Sequence, residues 1–204
     1  MTISGAETGG TSAPRPAADP GSTHLLDRAV TAIDRLTVVV PDFPSAGIMF
    51  RDLTPVFADA SGFRAVVDAI AASFAGTFDA VAGVEARGFL LAAAVGYATG
   101  TGVVTIRKAG KLPRAVHRES YDLEYGQAAL EIHRSDLPAG SRVLVLDDVL
   151  ATGGTLVAAC ALLDKAGATV VGCGVVLELG GLGGREKLAG RTVHALEIVA
   201  PAPR

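Results

Sequence analysis

The sequence VLVLDDVLATGGT at Val143–Thr155 joins an apolar run, two acidic residues and a loop of small residues. The apolar run predicts a buried strand, and GGTLVAACALLDKAG at 153–167 predicts a helix that begins within the loop. A second apolar run, ATVVGCGVVLEL at 168–179, follows that helix. Strand, helix and strand in this order predict an α/β fold with a central, mainly parallel sheet flanked by helices. Ligands are then expected at the carboxyl ends of the strands.

The segments before this unit add further predicted elements. Apolar residues at helical spacing predict a first helix with Thr23 as its N-cap, and residues 61–74 predict another. Residues 79–98 predict a short strand, a turn and a helix, and strands are predicted at 101–108 and 128–133. The segment PDFPSAGIMFRDLTPVF at 41–57 holds three prolines and a glycine, which predicts an ordered loop.

Composition limits the class of protein. Half of the 204 residues are hydrophobic, which suits one ordinary domain. Residues 1–22 are rich in Gly, Ala, Pro, Ser and Thr, so we expect a disordered tail before a single domain at 23–204. A net charge of −3 without a long Lys/Arg run argues against binding nucleic acid or membranes. Cys160 and Cys173 fall in predicted buried elements, and no secretory signal is visible, so we expect a cytoplasmic protein without a disulfide framework.

The loop after the acidic pair has the features of a phosphate site. Small residues allow consecutive amides to point into one concavity, and the helix N-terminus adds partial positive charge. Carboxylates one loop away suit the vicinal hydroxyls of a sugar. Sugar-phosphate contacts are therefore predicted at Asp147, Asp148, Ala151, Thr152, Gly153, Gly154 and Thr155. The alternative is a plain strand-to-helix turn in which Thr152 serves as the N-cap.

The whole thirteen-residue pattern resembles the phosphoribosyl pyrophosphate signature of type I phosphoribosyltransferases. It contains neither GxxxxGK[ST] nor GxGxxG, which mark other phosphate-binding loops. The resemblance implies the type I phosphoribosyltransferase fold, in which a flexible hood covers the active site at one edge of a mainly parallel sheet.

Three further segments resemble the adenine phosphoribosyltransferase family, so the likeness runs from Pro41 to Leu188. The segment at 41–57 is similar to the family's base-binding loop. The resemblance implies that Met49 and Arg51 contact adenine through backbone groups, while Phe50 and Leu179 cover its two faces. The alternative is that Phe50 and Leu179 are ordinary core residues.

The other two segments imply contacts with pyrophosphate. GVEARGF at 83–89 is similar to the family's pyrophosphate loop, with Ala86 and Arg87 as donors. Residues 107–127, hereafter the hood, resemble the family's mobile flap. The resemblance implies that Arg107, Lys108 and Lys111 neutralise pyrophosphate and that part of this set reaches a neighbouring subunit, which implies a homodimer. Each of these cations could alternatively be a solvated charge.

Glu124 and Tyr125, in the LEYG segment of the hood, complete the implied site. Glu124 matches the family's carboxylate near adenine, and Tyr125 would pack as the hood closes. The resemblance implies a purine salvage reaction in which adenine reacts with 5-phosphoribosyl 1-pyrophosphate to give AMP and pyrophosphate. It also implies Mg²⁺ as the cofactor. Two alternatives are a phosphoribosyltransferase for another base and a non-catalytic regulator that senses phosphoribosyl pyrophosphate.

Overall fold

The structure, a computed structural model, describes residues 20–122 and 126–200. The helices in these ranges are α1 (Pro20–Leu36), α2 (Thr54–Ala58), α3 (Ala60–Ser73), α4 (Gly88–Thr99), α5 (Gly154–Lys165) and α6 (Gly184–Lys187). The strands are β1 (Val38–Pro41), β2 (Met49–Asp52), β3 (Ala80–Val84), β4 (Gly102–Lys108), β5 (Val116–Asp122), β6 (Gln127–His133), β7 (Arg142–Leu150), β8 (Thr169–Leu179) and β9 (Val193–Val199).

Seven of these strands form one sheet in the order β5-β6-β4-β3-β7-β8-β9. The five strands from β4 to β9 in this order are parallel, whereas β6 pairs antiparallel with both β4 and β5. Alternate side chains of the parallel strands enter two apolar cores. One core lies under α5 and the other under α1, α3 and α4. The predicted α/β fold, with a mainly parallel sheet flanked by helices, is confirmed.

The segment at 41–57, predicted as a loop, is partly regular. β1 and β2 pair antiparallel with Pro41 opposite Met49, and α2 follows them. Pro41 is tolerated because it is the last residue of its strand in a two-stranded ribbon, where a missing N–H breaks no central ladder. The loop interpretation therefore holds only between the two strands, at residues 42–48.

Two predicted boundaries are wrong. The first helix begins at Pro20, so Thr23 lies inside it and is not its N-cap. Proline suits the first turn of a helix because its fixed φ is already helical and its missing N–H needs no partner there. The strand predicted to end with Asp147 and Asp148 continues for two more residues, because β7 extends to Leu150.

The hood is partly strand, because β5 pairs with β6 along its whole length. Cys160 and Cys173 are both buried, as expected, and their Sγ atoms lie 3.5 Å apart without a disulfide bond. Over residues 20–122 and 126–200, the chain has no helix with the length and apolar character needed to cross a membrane.

Candidate active site

The site lies where β3 and β7 end side by side. The two strands are parallel neighbours, with Gly83 opposite Leu146, so their carboxyl ends reach the same edge of the sheet. Beyond this register, the Nη1 atom of Arg87 lies 2.8 Å from the Oδ2 atom of Asp148. Arg87 and Asp148, which are far apart in sequence, are thereby brought together at the carboxyl ends of the parallel strands.

The loop after β7 forms a small cavity of about 90 Å³, lined by Asp147 and by residues 149–156. α5 begins at Gly154, and Gly153, with φ of +78°, provides the left-handed turn into it. The first amides of a helix have no partner within the helix, and they carry its positive dipole end. All five residues predicted to hold phosphate, 151–155, line this cavity.

A second glycine-rich segment packs against residues 151–155, hereafter the phosphate loop. A Cβ atom on Gly153 would lie 2.7 Å from the carbonyl oxygen of Gly184, and one on Gly184 would overlap the carbonyl oxygen of Ala151. The two backbones therefore touch without side chains between them. Sequence reasoning missed the role of Gly184, although the repeated glycines of GGLGG at 180–184 were a visible signal of close backbone packing.

The two acids lie between this cavity and a larger one. A cavity of about 480 Å³ is lined by residues of the pyrophosphate loop, the hood and the acidic pair, and Asp147 and Thr155 line both cavities. Asp147 accepts a hydrogen bond from the backbone N–H of Asp148 at 2.9 Å. Burial, followed by the charge of Asp148, raises the pKa of Asp147 well above its ordinary value. The acceptors predicted for sugar hydroxyls are thus next to the phosphate loop.

The residues predicted to bind pyrophosphate divide into two groups. Ala86, Arg87 and Lys108 line the larger cavity with the acids. Arg107 and Lys111 instead form ion pairs with Glu85, which sequence reasoning did not single out. The only sequence signal for Glu85 was its place directly before the ARG tripeptide, where an acid is unexpected in an anion-binding loop.

The segment predicted to bind the base reaches the same edge of the sheet. The guanidinium carbon of Arg87 lies 5.9 Å from the centroid of the Phe50 ring, which also meets Phe43 edge-on at 5.1 Å. Met49 is half exposed, and Phe50, Arg51 and Leu179 are partly exposed. Leu179 is the last residue of β8, directly before the GGLGG segment. The placement of a base between Phe50 and Leu179 stays a prediction.

Glu124 and Tyr125 lie outside the described residues, so their roles also stay predictions. Among the residues that the structure does describe, no group of three or more His, Cys, Asp or Glu side chains is placed to hold a metal ion.

Comparison with known proteins agrees with this geometry. Residues 60–194, more than half of the chain, match the family model described as a phosphoribosyl transferase domain. The adenine phosphoribosyltransferase of Renibacterium salmoninarum is 71% identical over 164 residues, which cover 80% of this chain and 90% of that relative. The chain belongs to the adenine phosphoribosyltransferase family.

Solved structures support the same assignment. The crystal structure of adenine phosphoribosyltransferase from Thermoanaerobacter pseudethanolicus superimposes with a TM-score of 0.80 and 41% sequence identity. The matched region covers 83% of this chain and 99% of that chain. The Saccharomyces cerevisiae enzyme has a TM-score of 0.78 and 36% identity, covering 82% and 98% respectively. That structure is a complex with D-2,5-dideoxy-2,5-imino-altritol 1,6-bisphosphate and adenine.

Proposed function

We propose that this protein transfers the 5-phosphoribosyl group from 5-phosphoribosyl 1-pyrophosphate to adenine and releases AMP and pyrophosphate, as a purine salvage enzyme. The observation that carries the proposal is the pair of adjoining cavities that share Asp147 and Thr155. One offers the amides of a helix start to a phosphate monoester, and the other combines acids with Arg87 and Lys108. A ribose with phosphates at both ends matches this arrangement, because each end meets its own set of donors.

Each part of the sugar substrate then has a group to bind it. The 5-phosphate fits at 151–155, and the ribose hydroxyls donate to Asp147 and Asp148. Pyrophosphate fits against Ala86, Arg87 and the hood cations. Holding the anomeric carbon and the base in line would supply roughly 7 kcal/mol or more of the rate enhancement.

The reaction replaces one bond at the anomeric carbon by another. The bond to the pyrophosphate oxygen breaks ahead of the new bond to nitrogen, so positive charge develops on the ribose ring, as at glycosidic centres generally. The oxygen leaves with the electron pair, and cations stabilise its negative charge. The attacking imidazole nitrogen of adenine supplies the new pair, and the ring proton passes to Glu124 as general base.

Magnesium is proposed as the cofactor, held mainly by the substrate. Asp147 and Asp148 offer the oxygen ligands that this hard cation prefers, and Mg²⁺ usually keeps several waters in such sites. Within residues 20–122 and 126–200 no third His, Cys, Asp or Glu side chain joins this pair, and two neighbouring carboxylates fit an ion that they contact through water. When bound to the substrate, the ion would neutralise charge on the departing pyrophosphate.

We also propose that the enzyme is a cytoplasmic homodimer with one catalytic domain that begins with α1. The family resemblance supports the dimer, because hood cations of that family reach the neighbouring subunit's site. Light scattering after size-exclusion chromatography tests the dimer directly. A mass equal to one chain at micromolar concentration would contradict it.

The function is tested by offering one base at a time. Purified protein with Mg²⁺ and phosphoribosyl pyrophosphate is given adenine, guanine, hypoxanthine, xanthine or orotate, and pyrophosphate release is followed. We expect AMP from adenine alone. Turnover with another base would leave the sugar-phosphate site intact but reject the base contacts at Met49, Phe50, Arg51 and Leu179. No turnover with any base would favour the regulator.

The role of Glu124 has its own test. Glu124→Ala should lower turnover by about 10²- to 10⁴-fold, the usual contribution of general acid–base catalysis, while adenine binding changes little. Steady-state kinetics gives the turnover, and calorimetry with adenine gives the affinity. Asp79→Ala is the control, since Asp79 pairs with Arg142 at the opposite edge of the sheet and should leave turnover unchanged. Unchanged turnover in Glu124→Ala would exclude the general-base role.

A further inference from the structure

Glu85 is the residue that joins the pyrophosphate loop to the hood. It directly follows β3, and its backbone N–H donates to the carbonyl oxygen of Ile106 at 2.9 Å. Its carboxylate accepts a hydrogen bond from the backbone N–H of Lys108 at 3.0 Å and another from the ammonium of Lys111. The Nε atom of Arg107 lies 3.5 Å from the same carboxylate. One acid therefore contacts three residues within the first five of the hood.

The contact between Glu85 and Lys111 favours the ionised form of Glu85. Its side chain is only 11% exposed, and the hydrogen bond from Lys111 is the main cause that lowers its pKa below the ordinary value for glutamate. Lys111 is the mobile partner, because its side chain is 45% exposed and its ammonium sits on a flexible stem. Arg107 reinforces the arrangement through a long hydrogen bond of 3.4 Å to the carbonyl oxygen of Lys111.

We propose that Glu85 is a latch that holds Lys111 in the empty protein and must release it when pyrophosphate binds. The inference rests on the proposed function, in which Lys111 is a ligand of pyrophosphate. The ammonium of Lys111 has three N–H donors but only one positive charge, so a Glu85 carboxylate held against it weakens its attraction for pyrophosphate, and the two anions repel each other. Glu85 and the leaving group therefore compete for the same cation.

The competition has a consequence for the catalytic cycle. Transfer of Lys111 to pyrophosphate breaks one ion pair and forms another, so the net gain in binding is smaller than a free lysine would provide. After the reaction, Glu85 takes Lys111 back and helps pyrophosphate to leave. Glu85 acts here as a positioning residue, because its effect passes through Lys111.

The decisive variant is Glu85→Gln, which keeps an acceptor for the Lys108 amide but removes the charge that holds Lys111. Pyrophosphate is used as a product inhibitor of AMP formation. We expect its inhibition constant to fall about fivefold to tenfold, which corresponds to about 1–1.4 kcal/mol of tighter binding. The KM for phosphoribosyl pyrophosphate should fall as well. A residue that only supported the loop would give the opposite sign, so weaker or unchanged inhibition overturns the latch.

A double-mutant cycle separates the latch from plain charge repulsion. Removing a negative charge near any anion site tightens binding somewhat, whether or not Lys111 is involved. In a Lys111→Gln background, the latch predicts that the effect of Glu85→Gln on the inhibition constant shrinks to this residual repulsion. An effect of the same size in both backgrounds would overturn the proposal.

Cross-linking tests the latch in the unaltered protein, even if Glu85→Gln does not fold. A water-soluble carbodiimide should join Glu85 to Lys111 in the empty enzyme, and magnesium pyrophosphate should suppress that product. The pair of Lys165 and Glu119, 3.4 Å apart on α5 and β5, serves as the internal control for loss of reagent. Suppression of the first cross-link alone supports the latch, and equal yields with and without pyrophosphate contradict it.

Failure of the latch and failure of the proposed function give different results. If the unaltered protein forms no AMP from adenine, the function is wrong. If it forms AMP but Glu85→Gln does not tighten pyrophosphate inhibition, the function stands and the latch alone is rejected.

Discussion

In the proposed function, the phosphate loop at 151–155 and the cationic segment at 107–111 serve opposite ends of the same substrate, and the two are built differently. The phosphate loop consists of small residues, and its backbone packs directly on the backbone at Gly184. The cationic segment presents long side chains, two of which are bound to Glu85. One region is therefore fixed by close packing, and the other is held by ion pairs that can exchange partners.

The difference indicates a division of labour during the reaction. The 5-phosphate is present in both the substrate and AMP, so a rigid site suits it throughout the cycle. Pyrophosphate must be bound tightly enough to leave as an anion and then be released. Exchangeable ion pairs suit that task, because each broken contact is replaced by another.

The largest effect is expected where backbone meets backbone. Gly184→Ala places a methyl group against the carbonyl oxygen of Ala151, and neither backbone can move without shifting the phosphate loop. A displacement near 1 Å costs about 10²-fold in rate, so we expect kcat/KM for phosphoribosyl pyrophosphate to fall by roughly that factor. Steady-state kinetics and thermal melting measure the two consequences.

Gly102→Ala is the matched control, because a methyl group there meets nothing within 4 Å and the backbone is not in the left-handed region. It should leave both activity and melting temperature nearly unchanged. If Gly184→Ala behaves like Gly102→Ala, the phosphate loop is not held by the packing of α6, and the contrast between a rigid and an exchangeable region fails.

The same contrast explains what could be predicted from the sequence. The phosphate loop was predictable, since apolar strand, acids, small loop and helix follow one another within thirteen residues. Its amides and its acids are local consequences of that order. Glu85 was not predictable as a partner of Lys111, because 26 residues separate them and only the pairing of β3 with β4 brings them together.

The missed strands have a similar cause. β5 is an edge strand and carries the charged or polar residues His117, Arg118 and Glu119. Such residues oppose pairing of an edge strand with other chains, and they obscure the alternation of apolar residues that would predict a strand. β1 ends in Pro41, a residue that normally argues against a strand. Edge positions tolerate both features because part of the backbone there needs no ladder partner, and that position is set by the whole sheet.

A smaller effect is expected from changing Arg87, which lines the larger cavity together with Thr155 of the phosphate loop and Lys108 of the cationic segment. Arg87→Lys keeps the positive charge but loses the planar fork that approaches Asp148 and the Phe50 ring. We expect the KM for phosphoribosyl pyrophosphate to rise about tenfold, equivalent to about 1.4 kcal/mol, with a smaller change in kcat. Initial rates at varied substrate concentration measure both constants.

Arg142→Lys is the control for this exchange, since Arg142 pairs with Asp79 on the exposed far edge of the sheet. Exposed ion pairs contribute little, so its KM should match that of the unaltered protein. An unchanged KM in Arg87→Lys would mean that any positive charge at this position suffices. Arg87 would then not bind pyrophosphate through the planar geometry of its guanidinium group.

The smallest effect concerns stability. Asp147 is buried beside Asp148, and its pKa is raised by burial first and by that neighbour second. A raised pKa means that the folded state favours the protonated carboxyl, so its stabilising contribution is present at acid pH and is lost as pH rises through the folded pKa. Above the ordinary pKa of an aspartate the buried acid therefore opposes folding, and Asp147→Asn should raise the melting temperature at neutral pH by roughly 2–4 °C.

The gain should shrink as the pH is lowered from neutral toward the ordinary range of an aspartate, because the unaltered carboxyl takes up its proton before that range is reached. Melting curves of both proteins across this range measure the difference. Asp148→Asn should show no such gain, since it removes the acid that pairs with Arg87. An Asp147→Asn protein that is less stable at neutral pH would show that the carboxylate supports the fold through the Asp148 amide. A more stable protein with a higher KM would instead show that the acid is retained for the substrate at the expense of stability.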